Sequence, residues 1–68
     1  MRTYLRNLRI EKNMTQLEVA QGLDISESGY SLIESGDRQK KMSIEFADKL
    51  SKVLGVPIDT ILKNEKGN

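Results

Sequence analysis

Apolar residues recur along this chain at helical rather than alternating spacing, in short runs separated by single Gly, Asn and Pro residues. In the first run Tyr4, Leu5 and Leu8 fall at i, i+1 and i+4 and form one stripe, and Asn13 can take the left-handed conformation that stops a helix. Met14 then turns inward. The second run opens with TQLE: Thr15 is placed to cap a helix and Glu18, three residues on, to complete a capping box. Val19, Ala20 and Leu23 supply its buried face, and GLDIS ends it, with Asp24 at the bend and Ser26 ready to cap the next helix. The third run, about Glu27 to Ser35, buries Tyr30 and Ile33 and stops at Gly36, leaving Leu17 and Leu32 as isolated surface leucines. After the polar, basic DRQKKM, a fourth helix starts near Ser43 and closes at Gly55. It carries Ile44, Phe46, Ala47, Leu50, Val53 and Leu54 along one broad stripe. Pro57 opens a last short helix bearing Ile58, Ile61 and Leu62, and the polar KNEKGN is expected to fray. The pattern predicts an all-α fold, a compact bundle of about five helices in a single domain over residues 1–68, with an ordered core from about 3 to 62 and a polar tail at 63–68.

Gly29 is out of place in this scheme. Glycine inside a helix costs about 1 kcal/mol relative to alanine, so one face of the third helix is expected to have a task that a side chain would spoil.

Composition narrows the chemistry. The 68 residues contain no cysteine and no histidine, which removes disulfides, thiolate chemistry, the usual general base and the commonest zinc ligand. The expectation is a non-enzymatic protein without metal or cofactor. MRTYLRNLRIEK has charges every few residues and no long apolar run, so neither a signal peptide nor a membrane span is expected, and the cytoplasm is the expected compartment. A net charge of +1 from 11 basic and 10 acidic residues neither announces nor excludes a nucleic-acid partner, so the distribution of charge has to decide.

Two short helices joined by a tight turn, the first capped by TQLE and the second by Ser26, match the helix-turn-helix in residue type and spacing. Ala20 stands where the two helices touch and only a small side chain fits. From about Leu5 to Leu62, through LRNLRIEKNMTQLEVAQGLDISESGYSLIESG and FADKLSKVLGVPIDTIL, the chain resembles the small helix-turn-helix regulators related to the lambdoid phage Cro and repressor proteins, the xenobiotic-response-element-like family. It departs from them in two places: Asp24 stands where a turn glycine is usual, and DRQKKM is longer than the usual loop.

The resemblance implies a lambda-repressor-like DNA-binding domain whose third helix enters the major groove. Glu27, Ser28, Gly29 and Ser31 are then the base-contacting candidates, with Glu27 able to accept from a cytosine amino group. Gln16, Ser26, Arg38, Lys40 and Lys41 are the phosphate-contacting candidates. Arg9 and Glu34 correspond to the family's structural ion pair, and Ile58, Ile61 and Leu62 to a two-fold dimer contact. The implied function is regulation of transcription, most often repression, by a homodimer on double-stranded DNA at a near-palindromic operator, with RNA polymerase or a protein antagonist as further partners. Bland alternatives accompany each residue: a solvated basic loop at Arg38, Lys40 and Lys41, close helix packing at Gly29, a first-turn acid favoured by the helix dipole at Glu27, and ordinary surface charges at Arg9 and Glu34. A protein-interaction module, such as an antitoxin or a phage-type antagonist, is the main competing function; a small enzyme has only scattered carboxylates in its favour.

Overall fold

Each helix starts or stops where the sequence supplies the chemistry for it. In the computed structural model, which describes residues 1–67, the elements are α1 (Thr3–Glu11), α2 (Gln16–Leu23), α3 (Glu27–Ser35), α4 (Ile44–Leu54) and α5 (Ile58–Lys66), with no strand among the described residues. The Thr15 hydroxyl accepts from the Glu18 N–H at 3.1 Å while the Glu18 carboxylate accepts from the Thr15 N–H at 2.9 Å, a complete capping box. Ser26 and Ser43 accept from the Gly29 and Phe46 N–H groups at 3.0 and 3.1 Å. Each such cap contributes about 1 kcal/mol. Asp24, Gly36 and Gly55 end α2, α3 and α4 in the left-handed conformation, with φ of 60°, 92° and 68°. Asn13 adopts it too, after α1.

The core takes Leu5 from α1, Val19, Ala20 and Leu23 from α2, Tyr30 and Ile33 from α3, Ala47, Leu50 and Leu54 from α4, and Ile61 from α5. α2 packs on both α3 and α4, α5 packs on α4, and α1 lies against α3. Burying each of the larger side chains contributes about 1.5–3 kcal/mol. The approach of α2 to α4 is close at Gly22, where a Cβ would stand 2.9 Å from Val53 Cγ1.

Two expectations are corrected. Ile44 is not part of the buried stripe: as the first residue of α4 it is 70% exposed, while Ala47 of the same turn faces the core. The expected tail is also shorter, because α5 continues through Lys66 and Glu65 holds the buried Arg2 in an ion pair at 2.7 Å, so the structured unit extends beyond residues 3–62 at both ends. Asn68, part of that expected tail, lies outside the described residues. No helix among the described residues is long and apolar enough to cross a membrane.

Gly22→Ala should lower stability by about 1 kcal/mol, because overpacking against Val53 costs about 1–3 kcal/mol and outweighs a helix-propensity gain of about 1 kcal/mol. In a Val53→Ala background the same substitution should become stabilising. Urea unfolding of the four proteins checks this, and an equal effect in both backgrounds would refute it.

Candidate nucleic-acid interface

The α2–turn–α3 unit is built from the inside outward. Val19, Ala20, Leu23, Tyr30 and Ile33 fill the angle between the helices, and the Ile25 N–H donates to the Ala20 carbonyl at 3.0 Å to close the turn. With Tyr30 and Ile33 committed to the core, helical spacing turns the opposite face of α3 outward. Glu27 and Ser28 are exposed and Ser31 is half-buried, so these three base-contacting candidates share the accessible side of the first turns.

Gly29 does not lie open on that face, and the expectation is corrected: it is buried, and a Cβ there would stand 3.1 Å from the Ser26 hydroxyl oxygen and 3.3 Å from Arg38 Nη1. The missing side chain makes room for the guanidinium of Arg38, which the loop beyond α3 carries back over the first turn. A cation is thereby set beside the end of α3 whose first N–H groups lack helical partners, and both favour an anion there. Ser26 spends its hydroxyl on the helix cap.

The far end of α3 is held from α1. Arg9 donates to Glu34 through Nε at 3.0 Å and Nη2 at 3.2 Å, and to the Met14 carbonyl through Nη1 at 3.0 Å. The pair is nearly dry, with side-chain exposures of 13% and 3%. Gln16 donates to Glu34 Oε1 at 3.4 Å, so this phosphate-contacting candidate touches the pair through its side-chain amide. Burial alone would raise the Glu34 carboxyl, but hydrogen bonds from Arg9 outweigh it and leave Glu34 below its ordinary value. Burial and the neighbouring Glu34 push the Tyr30 phenol far up, and its buried hydroxyl has no hydrogen-bond partner among the described residues.

The basic loop does not form one patch. Arg38 lies against α3, whereas Lys40 and Lys41 line an open groove of about 610 Å3 floored by Met42, Ile44 and Leu62 and walled by the end of α5. Of the three dimer candidates, Ile61 is corrected to the core, fully buried by packing within its own chain, while Ile58 and Leu62 are half-buried. Apolar spacing had no means of marking Arg2 and Glu65, which are polar residues near the ends of the chain. Among the described residues no cluster of carboxylates could hold a metal ion.

Comparison with known proteins fits this geometry. A family model described as helix-turn-helix matches residues 5–61. The chain is 34% identical over 64 residues to a Vibrio cholerae protein named cryptic phage CTXphi transcriptional repressor RstR, a match covering 94% of this chain and 56% of that protein. It is 40% identical over 55 residues to a Bacillus subtilis (strain 168) protein named uncharacterized HTH-type transcriptional regulator YqaF, covering 81% of this chain and 70% of the relative. The chain therefore spans little more than half the length of the first of these relatives. No solved structure gives a significant match.

Arg9→Ala and Glu34→Ala should each cost about 3–5 kcal/mol, because either strands the partner charge, and the double variant should cost little more than one of them. Chemical unfolding measures the cycle, and simple additivity would refute the coupling. Since Glu34 ionises more readily in the fold than in the unfolded chain, its contribution is complete above the ordinary carboxyl value of 4.5 and is lost as pH falls through the lower folded value. Glu34→Gln should accordingly remove part of the acid-induced loss of stability.

Proposed function

The chain belongs to the helix-turn-helix family matched by residues 5–61, and from that membership we propose that it is a sequence-specific regulator of transcription, a repressor that binds duplex DNA as a homodimer. The observation that carries this is the arrangement of α3: its outward first turns present Glu27, Ser28 and Ser31, with the Arg38 guanidinium seated beside them over Gly29. Side chains that can reach base edges thus stand next to a cation that can reach phosphate, the division of labour that duplex recognition requires. Serines discriminate bases weakly, so DNA shape and bridging water supply part of the specificity. Gln16 and Ser26 assist at the phosphates, Ser26 through the helix end that it caps. Lys40 and Lys41, farther along the loop, serve neighbouring phosphates.

Ile58 and Leu62 supply the two-fold contact, and each α3 enters one half of a near-palindromic operator at a spacing of about 10 base pairs. A dimer placed over a promoter excludes RNA polymerase, which makes repression the direct outcome in the cytoplasm.

Selection of bound fragments from random duplexes tests the proposal. Glu27→Ala and Ser28→Ala should change which bases are enriched, whereas Arg38→Ala and Lys40→Ala should weaken all sites nearly alike and each lower the salt slope by about 1. Absence of any enrichment at low salt would reject DNA binding, as would binding indifferent to salt. In sedimentation, Leu62→Lys should shift a dimer toward monomer, and an unchanged mass would reject the assigned contact.

A further inference from the structure

Arg2 is only 4% exposed, although it is an arginine at the second position of the chain. Its Nε donates to Glu65 Oε2 at 2.7 Å and its Nη2 to Glu65 Oε1 at 3.2 Å. On the other side Nη1 donates to the Ile33 carbonyl at 2.5 Å and the Arg38 carbonyl at 3.1 Å, and Nη2 donates to the Gln39 carbonyl. The Arg2 backbone N–H adds a bond to the Glu34 carbonyl at 2.9 Å. Tyr4 donates its hydroxyl to the same Glu65 carboxylate. One planar cation therefore ties together the start of α1, the last turn of α3, the loop that follows it and the end of α5.

An ion pair with Glu65 alone would leave three of the guanidinium bonds unexplained. The carbonyls of Arg38 and Gln39 belong to the stretch of main chain that carries Arg38 onto Gly29 and leads into Lys40 and Lys41. Gln39 is held there at φ 55°, a left-handed conformation that non-glycine residues seldom adopt, and its carbonyl is one of the groups Arg2 binds. Lysine cannot do the same, since a single ammonium does not span a carboxylate on one side and main-chain carbonyls on the other.

We propose that Arg2 is a positioning residue for DNA binding: it fixes the main chain of Arg38 and Gln39, and so the direction in which the loop offers its cations to phosphate, while Glu65 anchors Arg2 from α5. This inference rests on the DNA-binding reading above. Arg2 itself touches no DNA in this scheme.

The test compares the wild-type chain with Arg2→Lys, Glu65→Gln, Lys40→Ala and the Arg2→Lys/Lys40→Ala pair, by salt-dependent DNA affinity and by amide hydrogen exchange in the free protein. Arg2→Lys should reduce affinity about tenfold and lower the salt slope by about 1–2, because fewer phosphates are engaged. It should also speed exchange across residues 38–41 while α2 and the first turns of α3 stay protected. The double variant should be weaker than wild type by less than the product of the two single losses. Glu65→Gln should show the same changes to a smaller extent, and it decides the matter if Arg2→Lys does not fold. A loss of affinity with an unchanged salt slope, or unaltered exchange at residues 38–41, would overturn the proposal and leave Arg2 a general stabiliser. Failure of the wild-type chain to bind any duplex would instead refute the DNA-binding reading, and the exchange measurement would still decide whether Arg2 positions the loop.

Discussion

The structure depends on burying a carboxylate at the end of α3. Glu34 is almost entirely withdrawn from water, and that is tolerable only because Arg9 meets it with two parallel hydrogen bonds. The pair sets the distance between α1 and α3, and through the Arg9 bond to the Met14 carbonyl it also sets the approach to α2. Once those three helices are in register, the outward direction of Glu27 and Ser28 follows from helix geometry alone. A buried ion pair adds little net stability compared with apolar packing. What it contributes here is orientation, since two fork-shaped groups satisfy each other in few arrangements.

Near-neutral net charge conceals an uneven distribution. Arg2 and Arg9 are consumed internally by Glu65 and Glu34, and Lys52 pairs with Asp48 across one turn of α4. Arg38, Lys40 and Lys41 are exposed and enter none of these ion pairs. α2 and α3 carry only acids, Glu18, Glu27 and Glu34, and α4 carries two charges of each sign, while the loop after α3 sets Arg38, Lys40 and Lys41 against Asp37 alone. A partner approaching that loop meets a local field that the composition of the whole chain does not express.

Much of this was legible in the sequence, for local reasons. Capping depends on residues within four positions of one another, so Thr15 with Glu18, Ser26 and Ser43 marked helix starts correctly, and Asp24 marked a left-handed turn despite having a side chain. Periodicity identified Val19, Ala20, Leu23, Tyr30 and Ile33 as core because each lies on the face that α2 and α3 turn toward each other. It failed in α4 and α5. Ile44 was read as part of the stripe of α4 but is left exposed at the first position of that helix, and Ile61 was offered to a partner although α5 turns it inward. Gly29 was recognised as making space, but the occupant is a side chain from nine positions later. Arg2 and Glu65 were invisible because their pairing depends on where α5 comes to rest.

The Arg2–Glu65 contact joins residues separated by 63 positions. Closing a loop of that length comes late, because its entropy is recovered only after nearer contacts have already drawn the ends together. During synthesis Glu65 leaves the ribosome after every residue of α1 to α4, so the capped helices and the Arg9–Glu34 pair can assemble while the stretch from Arg38 to Lys41 still lacks its clasp. Closure over the cationic loop is thereby tied to the arrival of α5: a nascent chain acquires the shape of its first four helices before that loop is fastened.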